Sequence, residues 1–101
     1  MTDGEKDIMM RAFAHYGKET QIIVCIEELS ELIKELTKYF RGSLSLSGLT
    51  EEAADVSIVL DEIILFFGIQ SGVESVRQEK LARLLCRIDN EELQQKREKT
   101  L

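Results

Sequence analysis

The chain has 101 residues, of which 44% are hydrophobic and 32% are charged. This balance is too apolar for a disordered chain and too often interrupted by charge for a membrane span. The formal net charge of -6 argues against a protein that neutralises the phosphates of nucleic acid or of anionic lipid. We therefore expect one soluble globular domain over residues 1–101, with no nucleic-acid partner and no membrane partner.

The cysteines and the first residues indicate the compartment. Cys25 and Cys86 are far apart and belong to no Cys-x-x-Cys or Cys/His cluster, so neither a zinc site nor a disulfide framework is expected. The segment MTDGEKDIMM carries acids where a secretory signal would carry basic residues. We expect a cytoplasmic protein.

The glycines divide the chain, which contains no proline, into four segments of helical periodicity. The predicted helices span residues 5–16, residues 19–40, residues 51–67 behind an N-cap at Thr50, and a fourth that opens with a capping box at Ser71 and Glu74. Residues 89–101 are almost wholly polar. They predict either a solvated helical extension of the fourth helix or a frayed tail.

The third predicted helix is apolar on nearly every side, because its hydrophobic residues point in all directions at about 100° per residue. Three other helices in so short a chain can hardly cover it. We therefore expect an all-α fold, a four-helix bundle-like protomer that is completed by homo-oligomerisation as a homodimer or a dimer of dimers.

Two groups of carboxylates stand apart from the solvated acids of the other helix surfaces. Glu28 follows Glu27 and precedes Glu31 by three residues on the second helix, and Glu52 and Asp55 have the same spacing on the third. If the two helices pack antiparallel, the pair Glu28 and Glu31 can face the pair Glu52 and Asp55 and form a pocket of four carboxylates. Oxygen ligands without His or Cys would select Mg²⁺ or Mn²⁺; a solvated or structural cluster is the alternative.

The arrangement Glu27-Glu28-x-x-Glu31, twenty intervening residues, then Glu52-x-x-Asp55 resembles the EExxE…ExxD signature of the MazG-type all-α nucleoside triphosphate pyrophosphohydrolases, of the MazG-like / dUTPase-related superfamily. The segments IEELSELIKELTKYFRG and LTEEAADVSIVLDEI also resemble the family's second and third helices. The resemblance covers residues 17–87 and implies a single MazG-like domain.

This resemblance implies Mg²⁺-dependent hydrolysis of (deoxy)nucleoside triphosphates to the monophosphate and pyrophosphate, with Mn²⁺ as a possible substitute. By the same resemblance Glu28, Glu31, Glu52 and Asp55 would be the metal ligands. Glu27 would orient or deprotonate the attacking water, or serve as an outer ligand. All five acids are therefore expected at the catalytic site.

Residues outside the signature complete the predicted site. Lys80 and Arg83 fall where the family often has KLxRN and could contact phosphate, although Leu84 stands in place of the asparagine and surface salt bridges are an alternative. Gln21 lies on the stripe of the acidic motif and could touch the nucleotide. Glu62 continues the stripe of Glu52 and Asp55, and we expect either an outer-shell group or a buried hydrogen bond there.

Two other functions remain open on the sequence. One is the related phosphoribosyl-ATP pyrophosphohydrolase reaction, which the acidic motif does not distinguish from hydrolysis of ordinary triphosphates. The other is a non-catalytic helical metal-binding interaction module, suggested by the apolar third helix and by Leu84.

Overall fold

A computed structural model of the protein describes residues 1–100 and contains helices but no strand within that range. The all-α prediction is confirmed. A short 3-10 helix, Lys38–Arg41, follows the second of four α-helices. The α-helices are α1 (Asp3–Tyr16), α2 (Lys18–Thr37), α3 (Leu46–Phe66) and α4 (Gln70–Thr100).

The contacts within the chain define two compact units, Met1–Gly68 with α1, α2 and α3, and Ile69–Leu101 with α4. The single domain over residues 1–101 stays a prediction. No single helix within residues 1–100 is long and apolar enough to cross a membrane; α3 and α4 satisfy that criterion only when they are counted together, by length and composition.

The first unit begins with a capping box that the sequence analysis did not identify. The Glu5 amide donates to Thr2 Oγ1 at 3.1 Å, and the Thr2 amide donates to Glu5 Oε1 at 2.8 Å, so two free donors at the start of α1 are satisfied. Gly17 separates α1 from α2 with a φ of 92°. Glycine is favoured there because residues with a Cβ atom rarely adopt this backbone conformation.

Helix α3 begins about one turn earlier than predicted, and Thr50 as its N-cap is wrong. The Ser45 hydroxyl accepts a hydrogen bond from the Gly48 amide at 3.1 Å, which makes Ser45 the N-cap. Thr50 lies inside the helix, where its hydroxyl donates to the Leu46 carbonyl at 2.7 Å. The alternation of Leu and Ser before Thr50 hides the helical period, which is why the sequence analysis placed the start of the helix too late.

The core of the first unit is small. Its buried hydrophobic residues are Met9, Phe13, Cys25 and Val59. The ring of Phe13 on α1 stacks on that of Phe66 on α3 with a centroid distance of 4.2 Å. Several large apolar side chains of α2 and α3 remain exposed, among them Ile23, Ile26, Ile33, Ile58 and Leu60.

Helix α4 is a single helix of 31 residues with no buried residue. It begins at Gln70, and the Val73 amide donates to the Ile69 carbonyl at 2.9 Å, so Ser71 lies inside the helix and its prediction as the N-cap is wrong. Of the two expectations for residues 89–101, the helical extension is the one observed as far as Thr100. Leu101 lies outside the described residues.

Candidate metal centre

Helices α2 and α3 pack antiparallel, as contacts at both ends of the pair demonstrate. Gln21, near the start of α2, is hydrogen-bonded to Glu62, near the end of α3. Glu35, near the end of α2, lies against Gly48 in the first turn of α3. The acids of the two motifs lie between these contacts, so the packing that the four-carboxylate prediction required is present.

Three of the predicted ligands come together at the middle of this helix pair. One carboxylate oxygen from each of Glu28, Glu52 and Asp55 lies within 4.8 Å of the other two. We call these three residues the acidic cluster. Glu28 and Glu52 are half-buried, whereas Asp55 is exposed.

Glu31, the fourth predicted ligand, lies beside the acidic cluster rather than in it. Its side chain is exposed, and its Oε1 is 3.8 Å from Lys34 Nζ, at the limit of an ion pair. Its charge nevertheless contributes to raising the pKa values of Glu28 and Glu52. Glu31 is therefore near enough to contribute electrostatically without sharing the central position.

The acidic cluster is electrostatically unfavourable without a counter-charge. Burial raises the pKa of Glu28 above its ordinary value, and the charges of Asp55 and Glu52 raise it further. Burial likewise raises the pKa of Glu52, followed by the charges of Asp55 and Glu31. A raised carboxyl pKa means that the ionised form is disfavoured, so protons or a cation stabilise this arrangement.

Two buried carboxylate oxygens have no hydrogen-bond partner among residues 1–100, namely Oε2 of Glu52 on α3 and Oε2 of Glu35 on α2. A buried polar atom without a partner costs free energy. The donor set around Glu52 consists of carboxylate oxygens without His or Cys, which is the set that Mg²⁺ and Mn²⁺ prefer. The residues present therefore fit a hard divalent cation.

Glu35 was not identified by the sequence reasoning. Its side chain is only 15% exposed, and its Oε1 accepts a hydrogen bond from Lys38 Nζ at 2.7 Å. Its position four residues after Glu31 continues the stripe of Glu28 and Glu31 by one helical turn. That spacing was the available signal, and it was overlooked because the EExxE motif ends at Glu31.

Gln21, a predicted substrate-binding residue, is buried with Glu62. Their exposed fractions are 6% and 7%, and Gln21 Nε2 donates to Glu62 Oε2 at 3.1 Å. Of the two expectations for Glu62, the buried hydrogen bond is the one observed. Burial raises the pKa of Glu62, and the bond from Gln21 opposes this shift. The nucleotide contact of Gln21 stays a prediction.

The remaining predicted residues are exposed. Glu27 precedes Glu28 on α2 and is exposed to solvent. Lys80 and Arg83 are one turn apart on α4 and are exposed, in the unit that does not contain the acidic cluster. Their roles at phosphate and that of Glu27 at water stay predictions.

Comparisons of the chain with family models, with curated proteins and with solved structures gave no match. A functional assignment therefore depends on the spacing of the acidic motifs and on the geometry of the acidic cluster.

Proposed function

We propose that this chain is a MazG-type pyrophosphohydrolase that converts (deoxy)nucleoside triphosphates to monophosphates and pyrophosphate in an Mg²⁺-dependent reaction. The observation that carries the proposal is the acidic cluster itself. Glu28, Glu52 and Asp55 occupy matching positions of the EExxE…ExxD signature and have oxygens within 4.8 Å of one another on antiparallel helices. Such a constellation is more specific than either motif alone.

In this proposal Glu28, Glu52 and Asp55 hold the divalent cation, and Glu31 adds negative charge beside them. A bound cation of this kind offsets the charge of the triphosphate and lowers the pKa of bound water. The carboxylates by themselves repel the triphosphate, because both carry negative charge. Binding of substrate by this face of α2 and α3 therefore depends on the cation.

Glu27 supplies the proton acceptor. Hydrolysis adds one water across the anhydride between the α and β phosphorus atoms, and the water must lose a proton as its oxygen bonds to phosphorus. The exposed carboxylate of Glu27 adjoins Glu28 in sequence and takes this proton or orients the water. Lys80 and Arg83 are retained as candidate phosphate contacts, and Gln21 as a candidate nucleotide contact.

The proposal is tested by measuring pyrophosphate release from canonical and modified (deoxy)nucleoside triphosphates with Mg²⁺, with Mn²⁺ and with chelator. We expect metal-dependent release by the wild type and its loss in Glu31→Gln and in Asp55→Asn. Phosphoribosyl-ATP belongs in the same panel, because release from that compound alone would identify the related reaction. Turnover by Asp55→Asn at the wild-type rate would contradict the assignment of the site.

A non-catalytic metal-binding interaction module is the second candidate, and the surface of α4 favours it. An apolar stripe on α4, formed by Val73, Val76, Leu81, Leu84 and Ile88, is exposed along its length. Leu84, in place of the family's asparagine, belongs to this stripe. This candidate predicts metal binding and association without pyrophosphate release from any compound in the panel.

We infer that a second copy of the chain covers the apolar stripe of α4, as a homodimer or within a dimer of dimers. Thirteen of the nineteen acidic residues lie in residues 1–68, whereas seven of the thirteen basic residues lie in residues 69–101. Arg77 and Lys80 lie within the arc of the stripe at about 100° per residue. Because residues 69–101 also carry six acidic residues, this unit is nearly neutral, and a second copy can cover the apolar stripe without the like-charge repulsion that two acidic first units would exert on each other.

Light scattering during size-exclusion chromatography tests this association. We expect Leu84→Glu to lower the molecular mass to that of one chain, because it introduces a charge into the stripe. Leu93→Glu is the matched control, since Leu93 is also exposed on α4 but lies nearly opposite the stripe at about 100° per residue. A monomeric wild type, or an unchanged mass in Leu84→Glu, would contradict the association.

The cytoplasm is the compartment that we assign to this activity. Cys25 and Cys86 are both free thiols. Cys86 is exposed, and exposed free thiols are most compatible with a reducing compartment.

A further inference from the structure

We infer that Glu35 is a positioning residue of the acidic cluster and that the absence of a side chain at Gly48 gives its carboxylate the room to act. This inference rests on the proposed metal function. It adds one residue to the site that the EExxE…ExxD motif does not contain.

The first observation is the close approach between Glu35 and α3. A Cβ atom built at Gly48 would lie 2.9 Å from Glu35 Oε2, 3.1 Å from its Cδ and 3.2 Å from its Oε1. Real Cβ atoms essentially never lie 2.9 Å from another heavy atom of this kind, so any residue larger than glycine at position 48 displaces the Glu35 carboxylate. Because α2 and α3 pack antiparallel, this contact lies at the opposite end of the helix pair from the Gln21–Glu62 hydrogen bond.

The second observation is the environment of the two carboxylate oxygens. Oε1 of Glu35 is held by Lys38 Nζ at 2.7 Å, whereas Oε2 is buried and has no hydrogen-bond partner among the described residues. The carboxylate is therefore fixed by a cation on one side and by the backbone of α3 on the other. Oε2 is also the Glu35 atom nearest to position 48 of α3, and it has no donor of its own.

The third observation links Glu35 to the acidic cluster. Glu52 follows Gly48 by four residues and so lies on the same face of α3. Glu35 lies against Gly48, so its carboxylate is about one helical turn from Glu52 along α3. Glu35 therefore strengthens the negative potential at Glu52, and a divalent cation relieves the repulsion between the two carboxylates.

Mn²⁺ titration of the full chain by calorimetry tests this role with two variants. Glu35→Gln removes the charge and leaves Lys38 unpaired, and Gly48→Ala displaces the carboxylate. We expect each to weaken Mn²⁺ binding by about tenfold, the lower end of the effect of losing an outer-shell partner. Gly48 does not have a positive φ, and alanine favours a helix, so Gly48→Ala should not lower the midpoint of thermal unfolding.

Gly4→Ala is the matched control. Gly4 also lies in the first turn of a helix, α1, and a Cβ there would meet only Thr2 Oγ1 at 4.0 Å. We expect wild-type Mn²⁺ affinity in this variant. Wild-type affinity in Glu35→Gln or in Gly48→Ala would overturn the inference.

Double variants separate positioning from a general effect on packing. If Gly48→Ala acts by displacing Glu35, it should cause no further loss of Mn²⁺ affinity in a chain that already carries Glu35→Gln. Glu35→Asp, with its shorter side chain, should restore part of the affinity lost in Gly48→Ala. Full additivity of Gly48→Ala and Glu35→Gln would overturn the inference.

The failure of this inference differs from the failure of the proposed activity. If the wild type binds Mn²⁺ with the expected dependence on Glu35 but releases no pyrophosphate, the positioning role stands and the proposed activity falls. If the wild type releases pyrophosphate and Glu35→Gln binds Mn²⁺ as tightly as wild type, the activity stands and the positioning role falls. A wild type that binds no Mn²⁺ would overturn both.

Discussion

The two groups of acids between α2 and α3, buried Glu62 and the partly exposed acidic cluster, differ in the hydrogen-bond donors that each carboxylate meets. At one end, Glu62 receives a hydrogen bond from the Gln21 amide at 3.1 Å. In the middle, Glu28, Glu52 and Asp55 meet only one another, and Oε2 of Glu52 has no partner among residues 1–100. A buried acid with its own donor is complete as a structural element, whereas a group of acids without donors is stabilised by protons or by an external cation.

The largest expected effect comes from removing one charge from the acidic cluster. Asp55→Asn should weaken Mn²⁺ binding by more than the roughly 10–100-fold that the loss of an outer-shell partner costs, and it should abolish pyrophosphate release. Calorimetric titration and the release assay measure the two effects. Glu62→Gln, which changes an acid to an amide at the other end of the helix pair, is the control and should bind Mn²⁺ as wild type does. Equal losses in both variants would remove the distinction between the two environments.

Cation binding should stabilise the folded chain. At Mn²⁺ concentrations about 100 times the Kd, the free energy of unfolding should rise by about 2.7 kcal/mol, and chelator should reverse the rise. Denaturant unfolding with and without Mn²⁺ provides the measurement. The same Mn²⁺ concentration should leave Asp55→Asn unchanged, and a similar gain in that variant would indicate binding elsewhere on the acidic surface.

The Gln21–Glu62 hydrogen bond should contribute to the stability of the fold rather than to metal binding. Gln21→Ala leaves a buried carboxylate without its donor, and the expected loss in free energy of unfolding is about 1–3 kcal/mol. Chemical unfolding measures this loss, and Mn²⁺ titration of the same variant should give wild-type affinity. A loss of metal affinity without a loss of stability would assign Gln21 to the site instead.

The smallest expected effect is the pH dependence at Glu62. Because burial raises its pKa in the folded state, the folded chain binds this proton more tightly than the unfolded chain does. The contribution of Glu62 to the free energy of unfolding therefore increases as the pH falls from the raised pKa of the folded chain to the ordinary pKa of the unfolded chain. Cys25 is the titratable neighbour, and the charge of Glu62 adds to burial in raising its thiol pKa. Plots of the free energy of unfolding against mildly acidic pH should differ in slope between Glu62→Gln and wild type. Parallel plots would contradict the raised pKa of Glu62.

Much of the fold could be predicted from the sequence because helical periodicity and glycine punctuation are local signals. The all-α class and the four helices followed from them, whereas the antiparallel packing of α2 and α3 was only a condition of the four-carboxylate interpretation and is given by the structure. The N-cap of α3 did not, because Ser45 and Thr50 are equally suitable as caps and only the packed structure selects Ser45. The helix through residues 89–100 was also undetermined, since its polar composition suits a helix and a frayed tail alike.

The acidic cluster was predicted in its main members because spacing of three residues places Glu52 and Asp55 on one face of a helix. Glu35 was missed because the EExxE motif ends at Glu31; its spacing from Glu31 indicated only a shared helix face, and its close approach to Gly48 on another helix is given by the structure. The environment of Gln21 was missed for the same reason, because only the tertiary structure brings it to Glu62. Local patterns identify which residues share a face, but contacts between helices decide which of them have partners.

The measurement that tests the central claim most directly is calorimetric titration of the full chain with Mn²⁺, compared with Asp55→Asn and Glu62→Gln. The account predicts saturable binding by wild type and by Glu62→Gln, with a loss of more than about a hundredfold in Asp55→Asn. Binding of equal strength in all three proteins, or no binding by the wild type, would contradict the claim that the acidic cluster is a divalent-cation site.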